Sequence, residues 1–114
     1  MSIEDDLFDK LRIELRRGSL VLAVLAALRE ERYGYTLRAV LEEAGLPIEE
    51  GALYPLLRRL EGQGLLSSEW RIEDGPPRRY YRLSPEGERL YASLTASWRD
   101  LVATMDKLLK DGDR

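Results

Sequence analysis

A tyrosine and two arginines between Gly51 and Glu61 are the side chains best suited to chemistry in this sequence. Leucines recur in the same segment at the i, i+3, i+4 and i+7 spacing of one helix face: Leu53, Leu56, Leu57 and Leu60. If these leucines are buried, the opposite face presents Tyr54 and Arg58, with Arg59 at its flank. Such side chains can bind phosphate, and a guanidinium can bind guanine in a major groove. The same segment contains Gly51, Ala52 and Pro55, whose small or backbone-exposed character would let the helix approach a DNA groove closely.

A second group of arginines surrounds the loop signal Asp-Gly-Pro-Pro at 74–77. Between Tyr54 and Arg82 the sequence has six arginines and four acidic residues, which is an excess of two positive charges in a chain of net charge −3. Because phosphates respond to local charge, this excess favours a hairpin tip whose Arg78 and Arg79 bind the DNA backbone or an adjacent minor groove.

Both clusters are also compatible with a protein that does not bind nucleic acid. An ordinary amphipathic helix with solvated arginines has the same leucine pattern, and a solvated hairpin tip has the same arginines. The neighbouring Glu49 and Glu50 suit a helix N-terminus, but they repel phosphates if they face a groove. The charge pattern is therefore compatible with both a nucleic-acid surface and a solvated surface that binds none.

Enzymatic chemistry has no candidate centre in the sequence. The 114 residues include no cysteine and no histidine, which excludes disulfides, Cys/His metal sites and Ser-His or Cys-His catalysis. Acidic pairs such as Glu42 and Glu43 are neighbours in sequence and do not converge on one point. We therefore predict a protein that is not an enzyme and needs no cofactor.

The chain is predicted to be a small cytoplasmic protein without a membrane span. Its first residues are acidic rather than basic, and the apolar run from Leu20 to Leu28 is too short to cross a bilayer. That run is instead typical of a buried core helix. With 44% hydrophobic residues, the composition suits one domain, or one domain with an appended helix.

Helices are predicted at about 4–17, 19–31, 35–44 and 51–62. Ser2 and Asp5 have the spacing of a capping box, Gly18 is expected to end the first helix, and Ser19 is expected to cap the second. Gly45 suits the end of the third helix. Because proline is tolerated only in a first turn, Pro55 predicts that the fourth helix begins near Gly51 or Ala52.

Two strands and a long helix complete the predicted fold. The strands lie on either side of the loop at 74–77, and the helix runs from the cap Ser84 to about Lys110, with fraying expected from Gly112 onward. We predict a mainly α fold with a small β-hairpin, a winged helix-turn-helix. Its expected parts are an N-terminal helix at 1–17, a DNA-binding domain at 18–84 and a dimerisation helix with its tail at 85–114.

The last helix carries an apolar seam with the 3, 4, 3, 4, 3 spacing of heptads: Tyr91, Leu94, Trp98, Leu101, Met105 and Leu108. No other segment offers a seam of equal length, so we predict a homodimer through this helix, aided by Leu7, Phe8 and Leu11 of the first helix. Packing of the seam on its own domain is the alternative. Trp98 serves core packing or forms an aromatic wall for a flat ligand.

Three motifs in this order resemble the PadR family of transcriptional regulators, in its short subfamily with one C-terminal helix. They are Tyr-Gly-Tyr-Thr-Leu at 33–37, the segment 51–61, and Gly-Pro-Pro-Arg-Arg-Tyr-Tyr-Arg-Leu-Ser-Pro-Glu-Gly at 75–87. The resemblance implies a homodimeric winged helix-turn-helix that represses promoters and in some members is released by small planar aromatic molecules. It places DNA contacts at Tyr35, Tyr54, Arg58, Arg78 and Arg79, and a ligand-stacking tryptophan at Trp98.

The sequence departs from the family pattern at the front of the predicted reading helix. Ala52 stands where the family commonly has threonine, and Glu49 and Glu50 replace a more neutral turn. The main hypothesis is a repressor that binds double-stranded operator DNA as a homodimer. The alternative is a winged-helix protein-interaction module without DNA binding.

Overall fold

The computed structural model describes residues 2–111. Five helices and three short strands follow one another along this part of the chain. They are α1 (Ile3–Arg17), α2 (Ser19–Ala27), β1 (Arg32–Tyr33), α3 (Gly34–Glu43), α4 (Glu50–Gly62), β2 (Leu66–Arg71), β3 (Arg78–Leu83) and α5 (Pro85–Asp111). This is the predicted mainly α fold, with a helix-turn-helix formed by α3 and α4 and a wing formed by β2 and β3.

The core lies between α2, α3, α4 and one face of the sheet. The apolar run predicted as a core helix is indeed buried, at Val24, Leu25 and Leu28. Helices α3 and α4 add their leucine faces, and the sheet adds Tyr81 and Leu83. The buried leucines of these two helices are Leu37, Leu41, Leu53, Leu57 and Leu60.

The sheet has three strands where the sequence predicted a two-stranded hairpin. All strand pairs are antiparallel in the order β1-β3-β2, and Tyr33 of β1 lies opposite Tyr80 of β3. Strand β1 has two residues, too few to show the period-two alternation by which a strand is recognised in a sequence. The prediction of a hairpin alone was therefore incomplete.

The junction of α1 and α2 agrees with the prediction only in part. Gly18 ends α1 as its C-cap, as predicted, but with a right-handed helical φ of −66° and ψ of −28° rather than a left-handed turn. Ser19 does not cap α2, because Gly18 is the N-cap and Ser19 is the first helical residue. The Ser19 hydroxyl donates a 2.7 Å hydrogen bond to the carbonyl of Arg16. Helix α2 ends at Ala27 rather than Glu31, since the Leu28 carbonyl accepts a 3.0 Å hydrogen bond from Leu83 of β3.

Helix α4 begins earlier than its proline suggested. Glu49 is the N-cap, and its carbonyl accepts hydrogen bonds from the amides of Ala52 and Leu53 at 3.0 and 2.9 Å. Pro55 consequently lies in the second turn, not the first, and has no amide to offer the carbonyl of Gly51. Both residues are exposed, so water can solvate the released carbonyl.

Other helix ends agree with the prediction. The amide of Asp5 donates a 3.1 Å hydrogen bond to the Ser2 hydroxyl, which forms the expected capping box. Gly45 takes a left-handed φ of 96° after α3. The amide of Gly87 donates to the Ser84 hydroxyl at 3.0 Å. The fraying expected from Gly112 onward concerns residues outside the described part, and the division at 17/18 and 84/85 stays a prediction.

Helix α1 and the part of α5 beyond Thr95 extend away from this core. Every residue of α1 is exposed, and so is every described side chain of α5 beyond Thr95. Among residues 2–111, no helix combines the length and the apolar character that crossing a bilayer requires.

Gly87 fixes how closely α5 approaches the wing domain. It is buried in the first turn of α5, and a Cβ at this position would overlap the backbone carbonyl of Leu65. We therefore expect Gly87→Ala to lower the free energy of unfolding by about 1–3 kcal/mol, because backbone must shift to admit the methyl group. Urea unfolding followed by circular dichroism measures this loss.

Gly62→Ala is the matched control, since a Cβ there meets no atom within 4 Å. A Gly87→Ala protein as stable as this control would show that α5 and the wing domain tolerate a wider separation.

Candidate nucleic-acid interface

The outer face of α4 has the composition that the leucine spacing predicted. Leu53, Leu57 and Leu60 are at most 1% exposed, whereas Leu56 is half-buried. The predicted binding residues on the other side of the helix are exposed: Gly51, Ala52, Tyr54, Pro55, Arg58 and Arg59. The structure therefore presents these side chains to solvent, and their contact with DNA stays a prediction.

Tyr54 is less free than its neighbours on this face. It is 37% exposed, and its phenol lies so close to the Cα of Gly34 that a Cβ there would overlap the ring and its hydroxyl. A glycine is therefore needed at position 34 because Tyr54 of α4 leaves no room for a side chain at the start of α3, and not because the backbone there has a positive φ. Sequence reasoning used the Tyr-Gly-Tyr motif but did not detect this contact, because the two residues are twenty positions apart.

Arg58 and Arg59 are the cations available on α4. Within residues 2–111, no carboxylate lies within salt-bridge distance of either guanidinium. An unpaired guanidinium keeps all its donors for an incoming phosphate or base. These two side chains therefore make the outer face of α4 locally basic.

Arg78, at the start of β3, packs over an aromatic ring that serves as its support. Its guanidinium lies 4.7 Å from the ring centroid of Tyr33, which in turn contacts the rings of Tyr80 at 5.3 Å and Tyr35 at 6.4 Å. Tyr35, at the start of α3, is 72% exposed. This stack joins the wing to the first helix of the helix-turn-helix and leaves both Arg78 and Tyr35 accessible.

Arg79 has a different environment from Arg78, although both were predicted to contact DNA. Its Nε donates to Ser68 at 3.0 Å and its Nη2 to Glu61 at 3.0 Å, while the Ser68 hydroxyl donates to Glu61 at 2.6 Å. The guanidinium also lies over the rings of Trp70 and Tyr81. Arg79 therefore joins the wing to the end of α4, and binding to a phosphate would compete with these bonds.

The other two wing arginines differ in the same respect, since in the described part of the chain Arg71 has carboxylate partners and Arg82 does not. Arg71 pairs with Glu31 at 2.7 Å and Glu69 at 2.8 Å, and these hydrogen bonds raise the pKa of Arg71 and lower that of Glu69. Arg82 is exposed, and no carboxylate within residues 2–111 lies within salt-bridge distance of it. Arg78 and Arg82 are therefore the available wing cations.

The acidic turn before α4 is partly neutralised by a residue that sequence reasoning missed. Glu49 is exposed, but Glu50 pairs with Arg38 of α3 at 3.1 Å. Arg38 also donates to the carbonyl of Ile48 at 3.1 Å. Twelve positions separate Arg38 from Glu50, so no local sequence signal indicates the pair.

The residues predicted for a dimer interface fall into two groups. Tyr91 and Leu94 are half-buried against the core of their own domain, so the seam of α5 begins as an intrachain contact rather than a free surface. The others are exposed apolar side chains: Leu7, Phe8 and Leu11 on α1, and Trp98, Leu101, Met105 and Leu108 on α5.

Trp98 borders an apolar hollow between α2 and α5. The hollow has a volume of about 220 Å³ and is lined by Val21, Leu22, Leu94 and Leu101 besides the indole. Trp98 is 44% exposed. Because ligand cavities measure about 300–1,000 Å³, a flat molecule in this hollow would extend beyond the surface of a single chain.

Residues 21–93 match the protein family described as the Transcriptional regulator PadR-like family. The chain belongs to the PadR family. A PadR family transcriptional regulator of known structure from Eggerthella lenta is 49% identical, covers 93% of this chain and 95% of its own, and has a TM-score of 0.88. A transcriptional regulator of Mycobacterium tuberculosis is 42% identical over 89 residues, which are 77% of this chain and 80% of the relative.

A PadR-like transcriptional regulator from Bacillus cereus is 30% identical, covers 84% of this chain and 96% of its own, and has a TM-score of 0.77. All three relatives are named as regulators of transcription and not as enzymes. This PadR protein is therefore a transcriptional regulator with a winged helix-turn-helix. The resemblance inferred from the three motifs is confirmed.

Arg79 should matter for the stability of this PadR regulator. We expect Arg79→Ala to lower the free energy of unfolding by about 1 kcal/mol, because it removes two hydrogen bonds and leaves the half-buried Glu61 without its cation. Thermal unfolding followed by circular dichroism measures the change.

Arg82→Ala on the same strand is the matched control and should change stability by less than about 0.5 kcal/mol. Equal stability of the two variants would show that the bonds of Arg79 contribute nothing net to the fold.

Proposed function

We propose that this PadR regulator binds double-stranded operator DNA as a homodimer and represses transcription. The observation that carries the proposal is the pair of guanidiniums, Arg58 and Arg59, that have no carboxylate partner within residues 2–111 and lie on α4 opposite its fully buried leucines. A recognition helix needs this division between a buried apolar face and an accessible polar face. Bacterial operators lie in the cytoplasm, which is the compartment we propose.

In this proposal α4 enters the major groove. Gly51 and Ala52 at its front have no bulky side chains, so the helix can approach the base edges closely, and Pro55 lies on the same exposed face. Arg58 binds guanine or phosphate, and Arg59 and Tyr54 bind the backbone beside it. Tyr35 at the start of α3 lies at the edge of the same surface.

The wing contributes a second, sequence-independent contact. Arg78 on its aromatic support binds phosphate or enters the adjacent minor groove. We assign Arg79 a supporting role at the wing, because its donors are already occupied by Glu61 and Ser68. This division differs from the equal phosphate roles that the sequence suggested for the two arginines.

Exposed apolar faces on α1 and α5 support the homodimer. Leu101, Met105 and Leu108 continue the seam of α5 past the contact with its own core, and Leu7 and Leu11 form a comparable stripe on α1. Solvent-exposed stripes of this length on two helices are typical of subunit interfaces. A two-fold interface through them would present two α4 helices to successive half-sites.

The wing and the recognition helix should respond differently to salt. We expect Arg78→Ala to weaken binding on all DNA sequences alike and to reduce the slope of log K against log salt by about 1, because one phosphate contact is lost. Arg58→Ala should instead weaken binding to the selected operator by about 1–3 kcal/mol and relax its sequence preference, because a guanidinium contact to guanine is lost. Titrations at several salt concentrations, with operator DNA selected from random fragments, measure both effects.

Three results would contradict parts of this proposal. An absence of binding to any selected fragment would favour the alternative, a winged-helix module that binds proteins. A strictly monomeric protein in sedimentation equilibrium would remove the homodimer. Loss of sequence preference in the Arg78→Ala protein with an unchanged salt slope would assign base recognition to the wing.

The hollow beside Trp98 favours a second role, the binding of a planar aromatic effector. We expect acridine to quench the fluorescence of a Trp70→Phe protein with saturation, because Trp98 is then the remaining indole and lines the hollow. The matched Trp98→Phe protein retains only Trp70 on the wing and should show no saturable quenching. Equal quenching of both single-tryptophan proteins would exclude this site.

A further inference from the structure

Arg38 makes two bonds from α3 to the start of α4. Its Nε donates a 3.1 Å hydrogen bond to the carbonyl of Ile48, and its Nη1 lies 3.1 Å from Oε1 of Glu50. We propose that Arg38 is a positioning residue which fixes the leading end of the recognition helix and masks one of its two carboxylates. The proposal rests on the DNA-binding function proposed above and assigns Arg38 an effect on affinity without contact to DNA.

The first part of the argument concerns geometry. Glu49 is the N-cap of α4, but its side chain makes no capping hydrogen bond. Helices usually gain about 1 kcal/mol from such a cap, so the start of α4 lacks a common local restraint. Arg38 holds the residue on each side of this N-cap, the backbone of Ile48 and the side chain of Glu50. The guanidinium therefore supplies from α3 the restraint that Glu49 does not supply.

Arg38 is also the side chain that connects α3 to the turn before α4 by hydrogen bonds. Within residues 2–111, Arg38 makes both side-chain hydrogen bonds that join α3 to residues 48–50. Ile48 is also buried, so its carbonyl is a firmly placed acceptor. A planar guanidinium with several donors in fixed directions can hold two such acceptors at once, which an ammonium cannot do as well.

The second part of the argument concerns charge. Glu49 and Glu50 stand at the end of α4 that enters the groove, where each carboxylate would repel phosphates. The contact with Arg38 offsets the charge of Glu50, which leaves Glu49 as the exposed acid of the turn. Loss of Arg38 would leave both carboxylates uncompensated at the DNA surface. Arg38 therefore lowers the repulsion that the acidic turn would exert on the phosphates.

A double-mutant cycle on operator DNA tests this proposal. We expect Arg38→Ala to weaken binding roughly 2- to 10-fold, the effect that loss of one partly exposed, hydrogen-bonded ion pair gives. Part of this loss should disappear at high salt, since salt screens the repulsion between the unmasked carboxylate of Glu50 and the phosphates. In a Glu50→Gln background the same Arg38→Ala change should cost clearly less, because no carboxylate is left unmasked. Arg38→Lys keeps the charge and should retain part of the affinity.

Glu43→Gln on the same helix α3 is the matched control, and its effect should simply add to that of Arg38→Ala. Circular dichroism melting of each protein separates loss of folding from loss of binding. An effect of Arg38→Ala that is equal in the wild-type and Glu50→Gln backgrounds would show that Arg38 acts without Glu50, as a direct phosphate contact does, and would overturn the proposal. A wild-type protein that binds no DNA would overturn the proposed function and this inference together.

Discussion

The burial of three leucines on α4 is the interaction on which the candidate surface depends. Leu53, Leu57 and Leu60 are essentially inaccessible, and each buried leucine contributes about 1.5–3 kcal/mol. Adjacent residues on a helix differ by about 100° in direction, so a rotation of α4 by one residue would expose this face and bury Arg58. A buried, unpaired guanidinium is strongly unfavourable. The leucines therefore fix both the position of α4 and the direction of its arginines.

The wing is placed relative to α4 by polar contacts rather than by apolar burial alone. Residues of β3 alternate between the two faces of the sheet, so Arg79 and Tyr81 face α4, whereas Arg78 and Arg82 do not. Burial raises the pKa of Tyr81, whose ring lies beside the guanidinium of Arg79. The strand thus separates its arginines by direction: one residue connects elements of the fold and the other two remain accessible to a partner.

Sequence patterns predicted the features of this fold that depend on neighbouring residues. The leucine face of α4, the Ser2 and Ser84 caps and the turn at Gly45 all follow from spacings of eight residues or fewer. The strand β1 was missed because its two residues pair with Tyr80 and Tyr81, almost fifty positions away. The contacts of Arg79 with Glu61 and of Arg38 with Glu50 were missed for the same reason. Spacing indicates which side chains are exposed, but it does not show which of the exposed charges already have partners.

The heptad seam of α5 shows how one continuous pattern can serve two surfaces. Its first members, Tyr91 and Leu94, complete the core of their own domain, whereas the members from Trp98 onward extend past that core. A domain of this size buries a modest fraction of its surface, so a further apolar face has little left to cover it within one chain. The position at which intrachain packing ends is also where the hollow beside Trp98 lies. A second subunit packed on the exposed part of the seam would therefore close that hollow, so the proposed dimer interface and the proposed ligand site would share one apolar surface.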